Sequence, residues 1–201
     1  MNQRIWQMTA MIMAGCALAG CAAASGPGAS TPAGGHRPAP PDGSRTGRCG
    51  TGVLTLAYRP GLSPMTGEHG GFYELVNHGR RACTLAGYPH ITLYADGDPL
   101  PFRYIVGDGP YVTSRPPATV TVQPGGGAWI LVAKYRCDLG DLRAATTIAV
   151  TVPDTASALT SPVPRDGGVS ALSYCRGGAG APGQVVTVSP IEPAPDAAIL
   201  S

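Results

Sequence analysis

The sequence predicts an all-β fold, an antiparallel β-sandwich that spans residues 48–192. Short runs of alternating apolar and polar residues recur along this stretch, and turn-forming residues separate them. The 29 glycines and 21 prolines among 201 residues also disfavour long helices. Short strands at this spacing, without amphipathic helices between them, are typical of two packed antiparallel sheets.

The predicted strands follow one another closely along the chain. They cover residues 52–58, 72–77, 91–94, 102–106, 119–123, 128–135, 147–152, 169–174 and 184–188. Turns are predicted at 96–99, an Asp-Gly-Asp-Pro sequence, and at 124–127, a Pro-Gly-Gly-Gly sequence. Trp129 and Tyr135 share one face of the sixth strand, where we expect core packing rather than a sugar-binding platform.

Residues 1–20 have the order of a lipoprotein signal peptide: a positive start at Arg4, a mostly apolar stretch over 5–18, and small residues before Cys21. The Leu-Ala-Gly-Cys sequence that ends at Cys21 is a lipobox, in which the cysteine thiol receives a diacylglycerol. Two acyl chains suffice for stable anchoring, so we expect the protein on the extracytoplasmic face of the cell membrane. An uncleaved anchor is the alternative, although a bilayer span needs about 20 apolar residues.

Two segments are predicted to be flexible. Residues 21–47 are rich in Ala, Gly, Ser and Pro and have no large apolar side chain, so they cannot bury enough surface to offset chain entropy. We expect this segment to be a lipidated, disordered tether between the membrane and the domain. Residues 193–201, which are rich in Pro and Ala, are predicted to form a flexible tail.

Four cysteines fall inside the predicted domain, an even number that favours two disulfides in an exported protein. Three pairings are open, and strand order favours Cys49 with Cys83 and Cys137 with Cys175. Cys49 opens the first strand and Cys83 follows the second, so antiparallel neighbours would bring both to the same end of the sandwich. Cys137 and Cys175 follow the first and third strands of an up-down-up path, whose ends also meet.

The stretch from Asn77 to Pro89 contains a strand-ending Asn, a Gly turn and then Cys-x-Leu-x-Gly-Tyr-Pro. This pattern resembles the actinobacterial lipoprotein family with domain of unknown function 4232. Further support comes from Cys49, Cys137, Cys175 and the segments 122–126, 150–153 and 188–191. The resemblance implies an immunoglobulin-like sandwich on the cell surface, and it brings no catalytic residues. With the cysteine count, the predicted fold is an immunoglobulin-like sandwich that two disulfides stabilise.

The charge balance and the motifs argue against several classes of function. The chain has 14 basic and 12 acidic residues, which gives no electrostatic reason to expect nucleic-acid binding. It also lacks a Gly-x-Ser-x-Gly or Ser-x-x-Lys nucleophile motif and a Gly-Lys-Ser/Thr phosphate loop. The sequence therefore predicts a protein that is not an enzyme and that holds no cofactor.

Two groups of side chains are candidates for binding. His69, His78 and His90 have a chemistry that suits metal ions, but they stand at separate turns and strand ends, so the sequence predicts no metal site. Arg80 and Arg81 form a candidate surface patch for an anionic polymer such as teichoic acid or for phospholipid headgroups. Two solvated loop arginines are the simpler interpretation of that pair.

Two hypotheses about function follow. The first is a cell-surface lipoprotein whose non-catalytic β-sandwich module binds, or interacts structurally with, an unknown envelope protein or glycan. The alternative is an envelope lipoprotein that binds a ligand or metal through a pocket or through His69, His78 and His90. Two histidines within coordination reach would favour the alternative, whereas a closed core with an exposed loop patch would favour the first hypothesis.

Overall fold

The computed structural model describes residues 46–61, 68–109, 111–135, 142–165, 172–175 and 182–200. The predicted signal peptide and nearly all of the predicted tether lie outside these residues, as do Cys21 and Cys137. None of the described residues form a helix that is long and apolar enough to cross a bilayer.

Thirteen strands and three single-turn 3-10 helices make up the regular structure of the described residues. The strands are β1 (Leu54–Arg59), β2 (Glu68–Asn77), β3 (Cys83–Leu85), β4 (His90–Ala95), β5 (Asp98–Pro99), β6 (Arg103–Val106), β7 (Val120–Val122), β8 (Gly127–Tyr135), β9 (Leu142–Arg143), β10 (Thr147–Thr151), β11 (Leu159–Pro162), β12 (Tyr174–Cys175) and β13 (Val185–Val188). The 3-10 turns are Thr51–Val53, Pro182–Gln184 and Asp196–Ala198. The predicted all-β fold is confirmed.

Two larger sheets pack against each other. The five-stranded sheet has the order β1-β2-β8-β13-β6, and the four-stranded sheet has the order β11-β10-β4-β5. Apolar side chains from both sheets form one core between them, including Leu75 and Ile130 from the first sheet and Leu93 and Ile148 from the second. These four side chains are fully buried, so the predicted sandwich is confirmed.

Among the described strands, every pair but one is antiparallel. β13 pairs with β6 in parallel, with Val186 opposite Tyr104. Parallel neighbours need a long crossover between them, and here the chain between β6 and β13 contributes β8 to the same sheet and β10 and β11 to the second sheet. The sequence prediction of a wholly antiparallel sandwich missed this pair because its strands are far apart along the chain.

Strand β8 is buried on both faces, which explains its nearly continuous apolar sequence. On its inner face Ile130 lies opposite Tyr73 of β2, and on its outer face Leu131 lies opposite Phe72. Leu131 belongs to a second, smaller apolar cluster, formed with Phe72, Val112, Ala133 and Ala198. The outer face of the five-stranded sheet is therefore also buried, beneath residues that form this second cluster.

The C-terminal segment covers this outer face, so the prediction of a flexible tail at 193–201 is wrong over residues 193–200. Ala198 is fully buried, and Ile199 forms a β-bridge with Val112. The backbone N–H of Leu200 donates to the carbonyl oxygen of Tyr111 at 3.0 Å. A composition rich in Pro and Ala suggested fraying, but Ala198 and Ile199 provide enough apolar surface to seal the outer face of β8.

The two aromatic residues of β8 that were expected in the core have different surroundings. Trp129 is half-buried in the outer cluster, and its ring meets Phe72 edge-to-face at 6.3 Å between centroids. Tyr135 is 37% exposed, so its predicted place in the core is wrong. It is the last residue of β8, beyond the part of the strand that the C-terminal segment covers.

Tyr73 is fully buried, and its hydroxyl group has no hydrogen-bond partner among the residues that the structure describes. Burial, with a smaller contribution from Tyr58, raises the pKa of Tyr73 well above its usual range. An unsatisfied buried hydroxyl costs about 1–3 kcal/mol. We therefore expect Tyr73→Phe to raise the free energy of unfolding, by about 1 kcal/mol once small packing losses are included, as measured by urea denaturation.

Tyr104 is the matched control for this substitution. Its hydroxyl oxygen accepts a hydrogen bond from the backbone N–H of Leu93 at 2.9 Å. Tyr104→Phe should therefore lower the free energy of unfolding. A loss of stability in Tyr73→Phe as large as that in Tyr104→Phe would show that the Tyr73 hydroxyl is satisfied in solution.

Candidate functional site

An open groove of about 1000 Å³ lies at the end of the sandwich where β1 begins and β2 ends. Its walls come from the segment that enters β1 and from the loop that connects β2 with β3. The described residues that line it are Thr46, Gly47, Arg48, Val53, Gly79, Arg80, Arg81, Ala82 and Cys83. The candidate patch of Arg80 and Arg81 is thus part of a concave surface, which we call the arginine groove.

A buried amide holds the loop that carries the two arginines. Asn77 is fully buried, and its Nδ2 donates to the carbonyl oxygens of Arg81 at 2.9 Å and of Val122 at 3.0 Å. Its Oδ1 accepts from the backbone N–H of Gly79 at 2.8 Å. One side chain therefore fixes both ends of the 79–81 loop and attaches the loop to β7.

The backbone of Asn77 is also fully engaged. Its N–H donates to the carbonyl oxygen of Gly126 at 2.9 Å, and its carbonyl oxygen accepts from Gly125 N–H at 2.7 Å. Gly125 has a φ of 75°, a left-handed conformation that favours glycine and that the predicted Pro-Gly-Gly-Gly turn provides. The turn between β7 and β8 thereby holds Asn77, the residue at the base of the arginine loop.

A disulfide between Cys49 and Cys83 joins the two walls of the groove, which confirms the predicted pairing. Next to it the Cys49 N–H donates to the carbonyl oxygen of Thr84 at 3.0 Å, and the Thr84 N–H donates to that of Gly47 at 2.9 Å. Cys175 is also in a disulfide. Its predicted partner, Cys137, lies outside the described residues, so that pairing stays a prediction.

Further contacts connect the arginine loop with the segment before β1. The His78 N–H donates to the carbonyl oxygen of Val53 at 2.8 Å. The His78 ring nitrogen Nε2 lies 2.6 Å from the Thr55 hydroxyl oxygen. The loop is therefore held from three sides: by Asn77, by the disulfide and by the backbone at Val53.

The groove is positively charged. Arg80 and Arg81 are exposed, and neither forms an ion pair with an acidic residue in the described part of the chain. Arg48 pairs with Asp154, but the two side chains are 71% and 61% exposed, so the pair is weak. Asp154 offsets the charge of Arg48, so the local positive potential of the groove comes mainly from Arg80 and Arg81, beside which no carboxylate is among the described lining residues.

The three candidate histidines are not brought together. His69 lies near the start of β2 and His78 directly follows its end; nine extended residues span about 30 Å. His90 begins β4 in the other sheet. In the ranges that the structure describes, no three His, Cys, Asp or Glu side chains are grouped as metal ligands.

Sequence reasoning found Arg80 and Arg81 but missed Arg48, Val53 and Asn77. Arg48 directly precedes Cys49, so the predicted disulfide already implied that it would stand near the loop before Cys83. The role of Asn77 had a weaker signal, an Asn at a strand end two residues before a Gly, which is typical of a side chain that caps a turn.

Together these features define a disulfide-linked all-β module with a rigid, cationic surface groove. The chain belongs to the family described as Domain of unknown function (DUF4232), whose model matches residues 49–192. The match confirms the family resemblance of the domain and contains both Cys49 and Cys83 as well as the arginine loop. The assignment to an actinobacterial lipoprotein stays a prediction. Neither a curated protein nor a solved structure matches this chain.

Proposed function

We propose that the protein is a non-catalytic binding module of the cell envelope, held on the extracytoplasmic face of the membrane by a lipid on Cys21. Its partner binds in the arginine groove. The observation that carries this proposal is a loop, fixed from three sides, that presents two exposed arginines with no acidic partner in the part of the chain that the structure describes.

The rigidity of the loop favours binding over simple solvation. A flexible arginine loses conformational entropy when it binds, and a flexible loop loses more. Here Asn77 and the Cys49–Cys83 disulfide have already ordered the backbone at Arg80 and Arg81. Solvated surface arginines need no such support, whereas a binding site gains affinity from it.

The chemistry of the groove supports a non-catalytic role. Guanidinium groups and backbone N–H groups donate hydrogen bonds, but a reaction would also need a nucleophile or a general base. The described lining residues include no His, Asp or Glu, and their cysteine, Cys83, is oxidised in the disulfide. The groove can hold an anion, and its described lining residues include no group suited to move a proton.

Anchoring through Cys21 predicts a change of cellular location on substitution. Cys21→Ser should shift the protein from the membrane fraction to the medium or leave it unprocessed, because serine cannot accept the lipid through a thiol. Cys16→Ser is the matched control, since Cys16 ends a poorer lipobox, Met-Ala-Gly-Cys, within the predicted signal peptide. Normal processing with unchanged membrane retention in Cys21→Ser would exclude the proposed anchor.

Binding in the groove can be tested with a photoreactive residue in place of Val53, which is 38% exposed and lines the groove. Irradiation of intact cells should yield a covalent adduct that disappears when Arg80→Ala and Arg81→Ala are added. The control position is Val106, which is 47% exposed on edge strand β6. Adducts that are equal at both positions, or unaffected by loss of the arginines, would contradict the proposal.

Photochemistry is the suitable method for this domain. Amine-reactive cross-linkers need an accessible lysine, and Lys134 is the only lysine in the sequence. Its side chain donates a hydrogen bond to the carbonyl oxygen of Tyr135, and the residue is only 3% exposed. An amine reagent would therefore leave the folded domain unlabelled.

A further inference from the structure

We infer that the ligand of the arginine groove is a linear phosphodiester polymer, a chain of uncharged carbon-based units joined by phosphates. This inference rests on the proposed function and names the chemical class of the partner. Three features carry it: the type of cation, the shape of the groove, and the way in which Arg48 is paired.

The cations are all arginines. A guanidinium group is planar and donates two parallel hydrogen bonds, which match two oxygens of one phosphate. A phosphodiester also spreads its single charge over two oxygens and is hydrated less tightly than a carboxylate. It therefore loses less hydration when it meets the weakly hydrated guanidinium groups of Arg80 and Arg81.

The shape of the groove favours a chain over a single ion or a flat surface. Its volume of about 1000 Å³ far exceeds that of one phosphate. Arg48 lies on the wall opposite the arginine loop, so one small anion would not use all three guanidinium groups for binding. A bilayer presents a broad, nearly flat surface, whereas these cations line a concave one. The uncharged lining residues, such as Val53 and Ala82, suit the carbon-based units between phosphates.

The ion pair of Arg48 points to displacement by the ligand. Asp154 holds Arg48 in an exposed pair, which contributes little to stability and is easily exchanged. A phosphate can take the place of the carboxylate at small cost. Asp154 has a φ of 64°, a left-handed conformation that asparagine also tolerates, so Asp154→Asn removes the competing charge without disturbing the backbone.

The test uses the full chain with Cys21→Ser and a fluorescent poly(glycerol phosphate) chain, with binding followed by anisotropy at low salt. Arg80→Ala with Arg81→Ala should weaken binding at least about tenfold, the effect of losing charged hydrogen bonds. The double lysine variant keeps the charge but loses the paired donors. Its affinity should therefore lie between that of the chain with both arginines and that of the double alanine variant. Asp154→Asn should tighten binding a few-fold.

The control variant removes two positive charges outside the groove. Arg103 and Arg165 are exposed and do not line the groove. Measured at about 0.15 M salt, where exposed charges more than about 8 Å apart are largely screened, Arg103→Ala with Arg165→Ala should leave the affinity within about twofold. Urea denaturation of each variant verifies that it is folded. An equal loss in the control and in the groove variant would reduce the effect to net charge and overturn the inference.

The salt dependence provides a second measurement. Each phosphate contact on a flexible single chain contributes about 0.7 to the slope of log affinity against log salt. Three arginine contacts therefore predict a slope of about −2, and loss of Arg80 and Arg81 should reduce it to about −0.7. A slope that does not change in this variant would contradict contact between these arginines and phosphates.

Three further probes separate the sources of negative charge. Inorganic phosphate should compete only weakly, and poly-L-glutamate should bind less tightly than the phosphodiester chain. Preference for poly-L-glutamate, or for phosphatidylglycerol vesicles over the polymer, would overturn the ligand class. If no phosphodiester chain binds while the Val53 adduct on cells still requires Arg80 and Arg81, the ligand class is wrong and the proposed function stands. An adduct that forms equally well without Arg80 and Arg81 would contradict both the ligand class and the proposed function.

Discussion

Replacing both Cys49 and Cys83 with alanine should lower the free energy of unfolding by about 3–4 kcal/mol. The two cysteines are 34 residues apart, and their bond removes the entropy of that loop from the unfolded chain. For a domain of this size the melting temperature should fall by roughly 10–15 °C. Urea and thermal denaturation, each followed by circular dichroism, measure the two quantities.

The double substitution is preferable to chemical reduction. Cys175 is also in a disulfide, so a reductant acts on more than one bond and should destabilise the wild-type domain at least as much. Both alanines together also avoid a single unpaired thiol. A double variant within about 1 kcal/mol of the wild type would show that the unfolded chain is already restricted without the bond.

Asn77→Ala should have the next largest effect, a loss of about 2–4 kcal/mol in the free energy of unfolding. The substitution removes three side-chain hydrogen bonds and leaves the buried carbonyl oxygen of Val122 without its donor. It also releases the loop of Arg80 and Arg81. Ligand affinity should therefore fall even at temperatures where the variant remains folded.

Two comparisons define the role of the Asn77 amide. Gln123→Ala removes an exposed amide close in sequence to Val122 and should change stability by less than about 0.5 kcal/mol. Asn77→Asp keeps the shape and the acceptor for Gly79 but directs a carboxylate at two carbonyl oxygens. It should destabilise at least as much as Asn77→Ala. A mild effect of the aspartate would mean that shape, rather than donation, holds the loop.

The parts of the fold that the sequence could predict depend on local information. Alternation and turn residues located most strands, and the neighbouring positions of β1 and β2 along the chain correctly implied that Cys49 and Cys83 would meet. The parallel contact of β6 with β13 depends on where a long connection returns, and no short segment encodes that. Burial of Ala198 likewise depends on an apolar strip across β8 that only the folded sheet presents.

The candidate site also combines features that local sequence predicts with features that depend on long-range contacts. An Arg-Arg pair beside a Gly turn was visible as an exposed loop, but nothing in the pair indicates concavity. The groove exists because the Thr84 N–H binds the Gly47 carbonyl oxygen and the disulfide closes beside it, which brings Arg48 opposite the loop. Those contacts join positions that lie far apart along the chain, so residue patterns alone could not supply them.

The position of the disulfide determines how mechanical force would pass through the molecule. A pull on the chain that precedes Thr46 reaches Cys49 within three residues, and the covalent bond transfers it to Cys83. A pull by a ligand on Arg81 reaches the same cysteine from the other side within two residues. Tension between a tether and a bound polymer would therefore pass through this short covalent bridge and bypass β1 and β2, so the sandwich core would carry none of the load.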